Sequence, residues 1–134
     1  ISVSAFLLNR SSDLDLIMPG HVEPEELAAL LSASEMLVYP SYFEGFGIPI
    51  LEAMYAETAV VASKTTSMPE VGGDAVLYID PANVDDITHA IRCLESPELR
   101  QQLIEKGRVQ REKFSWDRTA NLLWNSMMNT INRP

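Results

Sequence analysis

Two glutamates, Glu44 and Glu52, frame the segment Glu44-Gly45-Phe46-Gly47-Ile48-Pro49-Ile50-Leu51-Glu52, a glycine-rich turn that runs into a proline-started helix. Gly45 and Gly47 allow backbone conformations, including positive φ, that a side chain would forbid, and they leave room for a ligand against the main chain. Pro49 suits the first turn of a helix, where its missing N–H would have had no partner. The amides of Phe46, Gly47 and Ile48 are then expected to face outward at the positive end of the helix dipole, an arrangement that favours anions such as a diphosphate. On spacing alone a plainer reading stands beside this one: Glu52 is a first-turn acid that favours the dipole, and Glu44 is a solvated loop residue. The flanks favour the first reading. Val38-Tyr39-Pro40-Ser41 precedes the turn and Thr58-Ala59-Val60-Val61-Ala62-Ser63 follows the helix, which makes a strand, loop, helix, strand unit.

Other elements must hold that unit. Residues 2–9 are apolar enough for a strand or a helix, and residues 10–15 form a polar loop. Leu14, Leu16, Ile17 and Met18 read as a short buried strand ended by Pro19-Gly20. Pro24 opens a helix with Glu25 and Glu26 in its first turn and an apolar stripe of Leu27, Leu30 and Leu31. A strand follows over Met36 to Tyr39, then the helix over Pro49 to Ala56, a strand over Ala59 to Ala62, a loop or single helical turn over Ser67 to Gly73, and a strand over Ala75 to Ile79. Strands alternating with helices at this spacing predict an α/β domain, doubly wound, with a parallel sheet covered on both faces.

The last third is helical. Asn83 caps a helix that buries Ile87, Ala90, Ile91 and Leu94, Pro97 starts a second helix to about Lys113, and Ser115 caps a third that passes Trp124. Phe114, Trp116, Leu122, Leu123 and Trp124 read as core-facing. In an open parallel sheet, ligands settle at the carboxyl ends of the strands. Three loops are expected to meet there: the Glu44 loop, Gly20-His21-Val22 and Thr65-Thr66-Ser67.

Composition narrows the partners. A chain of 134 residues buries one core, so a single domain spanning 1–134 is expected, and 46% apolar with 22% charged residues is the balance of an ordinary globular protein. A net charge of −9 argues against nucleic acid and against anionic membrane surfaces as main partners. It also means that any bound diphosphate needs positive charge from elsewhere. The single cysteine, Cys93, forms no internal disulfide and reads as a buried structural thiol. No apolar run approaches the roughly 18 residues needed to cross a bilayer, and no signal peptide is visible. The expected location is the cytoplasm.

Several ordered motifs together resemble the carboxyl-terminal, donor-binding half of the GT-B-fold retaining glycosyltransferases of family 4, whose domains are Rossmann-like. The likeness spans about Leu16 to Trp124. It rests on Pro19-Gly20-His21-Val22 followed by Glu25-Glu26-Leu27, and on Tyr39-Pro40-Ser41-Tyr42-Phe43-Glu44-Gly45-Phe46-Gly47-Ile48-Pro49 with Leu51-Glu52-Ala53-Met54. Met68-Pro69-Glu70-Val71 with Gly73-Asp74-Ala75, and Phe114-Ser115-Trp116, complete it.

The resemblance implies that Glu52, beside Leu51, holds the ribose hydroxyls of a nucleotide sugar, since a carboxylate accepts two hydrogen bonds at once. It implies that Glu44 is the catalytic carboxylate beside the transferred sugar, that the amides of Phe46, Gly47 and Ile48 next to Gly45 contact sugar and phosphates, and that the loop bearing Val22 borders the base. Transfer with retention and without a bound metal or other cofactor is implied as well. Family members neutralise the leaving diphosphate with a lysine and an arginine from upstream of the matched part. Arg10 is a poor candidate and Lys64 lies in the wrong segment, so either those residues precede Ile1 or the chain alone is not competent for transfer. The implied partners are a nucleotide-sugar donor, an amino-terminal GT-B half absent from this chain, and a saccharide or lipid-linked acceptor, with the complete enzyme peripheral to the inner membrane face. The run from Ser63 to Val71 looks most like members that use GDP-mannose to build bacterial surface polysaccharides.

Two rivals remain at this point. A hydrolase would use Glu44 and Glu52 as acid and nucleophile across one glycosidic bond. A non-catalytic nucleotide-binding or scaffold domain would keep the fold and lose transfer.

Overall fold

The structure is a computed structural model that describes residues 17–131. The expectations for residues 2–9 and 10–15, and for Leu14 and Leu16, lie outside the described residues. Three parallel strands, β1 (Met36–Tyr39), β2 (Ala59–Ser63) and β3 (Val76–Ile79), form one sheet in the order β1-β2-β3. Val38 pairs with Val61, and Val61 with Leu77. The side chains alternate between two faces, as extended backbone requires.

Leu37, Tyr39, Val60, Ala62, Val76 and Tyr78 face a first helical layer. That layer consists of α1 (Pro24–Ala33), α2 (Ile48–Tyr55) and the short α3 (Met68–Gly72). Met36, Val38, Ala59, Val61, Leu77 and Ile79 face the opposite layer, made by α4 (Val84–Cys93) and the start of α5 (Pro97–Arg111). This is a doubly wound, Rossmann-like parallel sheet. Every residue of β2 is buried, which is why Ala59-Val60-Val61-Ala62 shows no alternation of polarity. Ile50, Met68 and Val71, each no more than 1% exposed, lock the first layer; burial of such side chains stabilises by about 1.5–3 kcal/mol apiece.

Local chemistry sets the helix starts. Asn83 Oδ1 accepts the amides of Asp85 and Asp86 at 3.0 and 3.2 Å and so caps α4. Ser96 Oγ accepts the Leu99 amide at 3.2 Å at the start of α5. α5 then passes from one layer to the other beneath the amino ends of the strands. Leu103 packs in the second core, Gly107 faces Met54 at the end of α2, and Gln110 donates to the carbonyls of Val71 and Glu70 at 3.0 and 3.2 Å.

Five expectations need correction. Ile17 and Met18 are not a buried strand: they are 82% and 54% exposed and pair with no strand among the described residues. An apolar run without a neighbour to share its ladder has no reason to become a strand. The stripe on α1 is narrower than expected, because Leu31 is buried while Leu30 is 50% exposed. The expectation of a buried thiol is met only in part, because Cys93 is half-buried.

α2 starts at Ile48, one residue before Pro49, so Glu52 is its fifth residue and lies beyond the first turn. The largest correction concerns α6 (Trp116–Ile131), which has no buried residue. Trp116, Leu122, Leu123 and Trp124 are exposed rather than core-facing. After the turn at Lys113, α6 leaves both layers. Only Phe114 of that group packs on the core, half-buried against the first layer.

Candidate functional site at the carboxyl ends of the strands

The carboxyl end of β1 leads through Pro40 and Ser41 to Glu44, and the loop ends at the amino terminus of α2. Gly47 is the residue before α2 and adopts φ 99°, ψ 45°, in the left-handed region. A side chain there would be strained by that φ, although its Cβ would make only ordinary contact at 3.4 Å from Ile50 Cδ1, so glycine eases the chain's entry into the helix at this angle. Gly45 does not share this role. Among the described glycines only Gly20, Gly47 and Gly73 have positive φ, and a Cβ on Gly45 would meet open space.

Glu44 is held from several sides. Tyr39 Oη and Ser41 Oγ both donate to Glu44 Oε1, the second at 2.8 Å. No protein donor among the described residues reaches Oε2. The Glu44 amide donates to Thr66 Oγ1 at 3.2 Å, and Ser67 Oγ donates to the carbonyls of Glu44 and Phe46 at 3.0 and 2.9 Å. Thr66 achieves this with φ 50°. That left-handed conformation is a genuine outlier for a β-branched residue and costs roughly 1–3 kcal/mol. Burial, first, then the hydrogen bond to Glu44 and the charges of Glu44 and Glu52, push the Tyr39 hydroxyl well above the ordinary tyrosine range, so it remains a proton donor.

The amides of Phe46, Gly47 and Ile48 have no acceptor among the described residues. Phe46 and Ile48 are 44% and 53% exposed, whereas Gly47 is buried over Ile50 and Met68. The open part of the helix tip is therefore made by Gly45, Phe46 and Ile48. The Phe46 ring is braced edge-on by Phe114, with centroids 5.8 Å apart and planes at 84°. An anion against this tip would meet unpaired N–H groups and the positive end of α2.

Glu52 and Leu51 are half-buried on α2. Glu52 lines a cleft of about 230 Å³ between α1 and α2, with Pro24, Leu27, Ser32 and Tyr55. A second cleft of about 430 Å³ opens at the carboxyl ends of β2 and β3, lined by Lys64, Thr65, Tyr78, Asp80 and Asp86. Burial, with a smaller push from the Asp74 charge, moves the Tyr78 hydroxyl up to about 12. The Glu44 to Ile48 loop borders neither cleft, so in this chain the site is an exposed rim.

The structure thus brings together two of the three expected loops, those of Glu44 and Thr65-Thr66-Ser67. Val22 is half-buried just before α1, and no hydrogen bond or shared cleft joins it to the Glu44 loop among the described residues. The tethering roles of Tyr39, Thr66 and Ser67 escaped the sequence reading. Their one signal was hydroxyl groups placed at, or just after, the ends of two apolar strands. Among the described residues no group of three or more His, Cys, Asp and Glu side chains could hold a metal ion.

Residues 7–110 match the family described as glycosyl transferases group 1. The chain belongs to that family. The chain is 46% identical over 99 residues to O-antigen chain mannosyltransferase B of Escherichia coli, an alignment covering 73% of the chain and 26% of the relative. It is 42% identical over 101 residues to the MMP alpha-(1->4)-mannosyltransferase of Mycolicibacterium hassiacum, covering 72% and 25% respectively. Among solved structures, sucrose-phosphate synthase from Thermosynechococcus elongatus superposes with a TM-score of 0.72 at 28% identity, covering 83% of this chain and 30% of that one. The chain therefore has the fold of one half of a GT-B enzyme, and it spans about a quarter of the length of these curated relatives.

Proposed function

We propose that this chain is the donor-binding domain of a retaining hexosyltransferase of family 4. It takes a nucleotide-diphosphate sugar, GDP-mannose, and delivers the sugar to a saccharide or lipid-linked acceptor held by an amino-terminal GT-B half. The observation that carries this reading is the amino terminus of α2: amides at Phe46 and Ile48 that have no acceptor among the described residues, beside a carboxylate, Glu44, with one oxygen tethered and the other reached by no donor among them. Unpaired amides suit a diphosphate. The free Glu44 oxygen suits sugar hydroxyls and the positive charge that develops as the glycosidic bond breaks. Glu52, in the cleft between α1 and α2, accepts from the ribose hydroxyls, with Leu51 beside it and Val22 bordering the base. The mannosyltransferase names of the relatives support the choice of sugar.

The leaving diphosphate needs a cation. Lys64, on the rim, shares its cleft with Asp80 and Asp86, so the charge is supplied from polypeptide upstream of the matched part, and transfer proceeds without a resident metal. The complete enzyme works in the cytoplasm, peripheral to the membrane. No helix among the described residues is long and apolar enough to cross one.

A second reading, a scaffold domain that has lost transfer, is favoured by one observation: no lysine or arginine side chain bonds to the Glu44 to Ile48 loop among the described residues. Calorimetric titration of the complete polypeptide with GDP, UDP and their sugars decides between the two. GDP-mannose should bind, and Glu52→Ala should weaken it by about 10-fold or more, the value of a hydrogen bond to a charged group. No binding of any nucleotide would leave the scaffold reading standing.

A further inference from the structure

We infer that Thr66 is a positioning residue, held in a strained conformation in order to fix the Glu44 loop; the inference rests on the donor-site reading above. Thr66 lies 22 residues beyond Glu44, in the loop after the neighbouring strand. Its φ of 50° is one that glycine adopts freely and a β-branched side chain resists. Packing supplies no reason for this choice, because Thr66 is exposed and glycine would let the chain take the same path.

What threonine adds is Oγ1, which accepts the Glu44 amide at 3.2 Å. The next residue, Ser67, donates to the Glu44 carbonyl. Successive hydroxyls therefore take both backbone polar groups of Glu44. They are anchored in the core by Met68, which follows directly and is fully buried. Tyr39 and Ser41 meanwhile take Oε1. The result is a carboxylate whose backbone and one oxygen are fixed and whose other oxygen is left for a ligand. Water could satisfy the exposed Glu44 amide equally well, so the bond to Thr66 adds little to stability. Strain retained where the fold does not need it is a mark of pre-organisation.

The test uses the complete polypeptide with GDP-mannose, reading GDP release with water as acceptor, GDP affinity and Tm. Thr66→Gly removes both strain and acceptor. It should lower turnover by about 10-fold or more, since small displacements of a reacting group are expensive. GDP affinity should stay within about threefold and Tm should hold or rise. Thr66→Ser, which keeps the hydroxyl, should restore turnover to within about threefold of the parent. In a Glu44→Ala background, Thr66→Gly should cost nothing further, because both changes act on one group.

Turnover of Thr66→Gly within about twofold of the parent would overturn the inference. So would a joint fall of turnover and Tm, or a full additional loss in the Glu44→Ala background. Glu44→Ala measured alone separates the two levels. If it is inactive while Thr66→Gly is unaffected, only the positioning role fails. If Glu44→Ala itself keeps full turnover, the donor-site reading fails and takes the inference with it.

Discussion

Glu57 and Glu44 sit at opposite ends of the same sheet and are held in opposite ways. Glu57, at the amino end, is gripped by Arg108, whose Nε and Nη2 donate to its two oxygens at 2.9 and 2.7 Å. Glu44, at the carboxyl end, meets no cation among the described residues; two neutral hydroxyls share one of its oxygens. The contrast extends to the surroundings. At the amino end the carbonyls that terminate elements find side chains: Arg111 donates to Met54 O at 3.0 Å, Gln110 to Val71 O at 3.0 Å, and buried Thr58 to Leu31 O at 2.7 Å. At the carboxyl end the amides of the α2 tip find no acceptor among the described residues. Partnered polar groups contribute stability, and unpartnered ones on a preformed rim are open to a ligand. One end of the sheet is tied together within the fold, and the other presents open polar groups at its rim.

Mutations at the two ends should therefore separate activity from stability. The largest effect is expected from Glu44→Ala in the complete polypeptide: turnover of GDP-mannose falls by about 100-fold or more, the usual cost of losing one preorganised electrostatic partner of the transition state. Nucleotide affinity should change much less, and Tm should barely move. Equal losses in turnover and affinity would break the division, since Glu44 would then be only a binding group. At the other end, Gly72→Ala should do the reverse. A Cβ there would lie 2.5 Å from Tyr78 Oη and 2.7 Å from Val76 Cγ2, and Val76 is β-branched and cannot easily turn aside. Overpacking of this kind costs about 1–3 kcal/mol, to be read as a lowered denaturant midpoint with nucleotide affinity unchanged in the protein that remains folded. Gln110→Ala is a milder version. It leaves the carbonyls of Glu70 and Val71 without their donor and should cost about 1–2 kcal/mol, again without touching affinity.

The sequence made one end far more legible than the other. The βαβ unit around Glu44 declared itself through punctuation: Pro40 after an apolar strand, two glycines, Pro49, then a second apolar strand. Strand and helix bounds there agree with the structure to within a residue, because local chemistry and packing ask for the same thing. Asn83 and Pro97 marked the helix starts at α4 and α5 for the same reason. The tethers of Glu44 were not legible. A hydroxyl 22 residues away becomes a partner only once two parallel strands lie side by side. The exposure of Trp116, Leu122, Leu123 and Trp124 was hidden for a related reason. Helical periodicity shows that α6 is amphipathic, but it does not show whether a surface lies opposite its apolar face.

The smallest effect expected concerns Glu57 itself, and its sign is informative. The hydrogen bonds and charge of Arg108 hold the folded carboxyl below the usual carboxylate value. A depressed folded pKa means that the pair contributes stability above the unfolded value, and that this contribution is lost as pH falls through the folded value. Glu57→Gln provides a clean comparison. Glu57 has φ 58°, and glutamine keeps both that backbone cost and the length of the side chain while removing the charge. The parent should be slightly more stable than Glu57→Gln at neutral pH. The difference should shrink on acidification below the ordinary carboxylate range, and on raising salt, because the pair is exposed and screened. Turnover and nucleotide affinity should not respond at either pH. A difference that survives in acid would mean that the Arg108 contact is held by packing rather than charge. A change in nucleotide affinity would mean that the two ends of the sheet are energetically coupled, and the division between them would have to be abandoned.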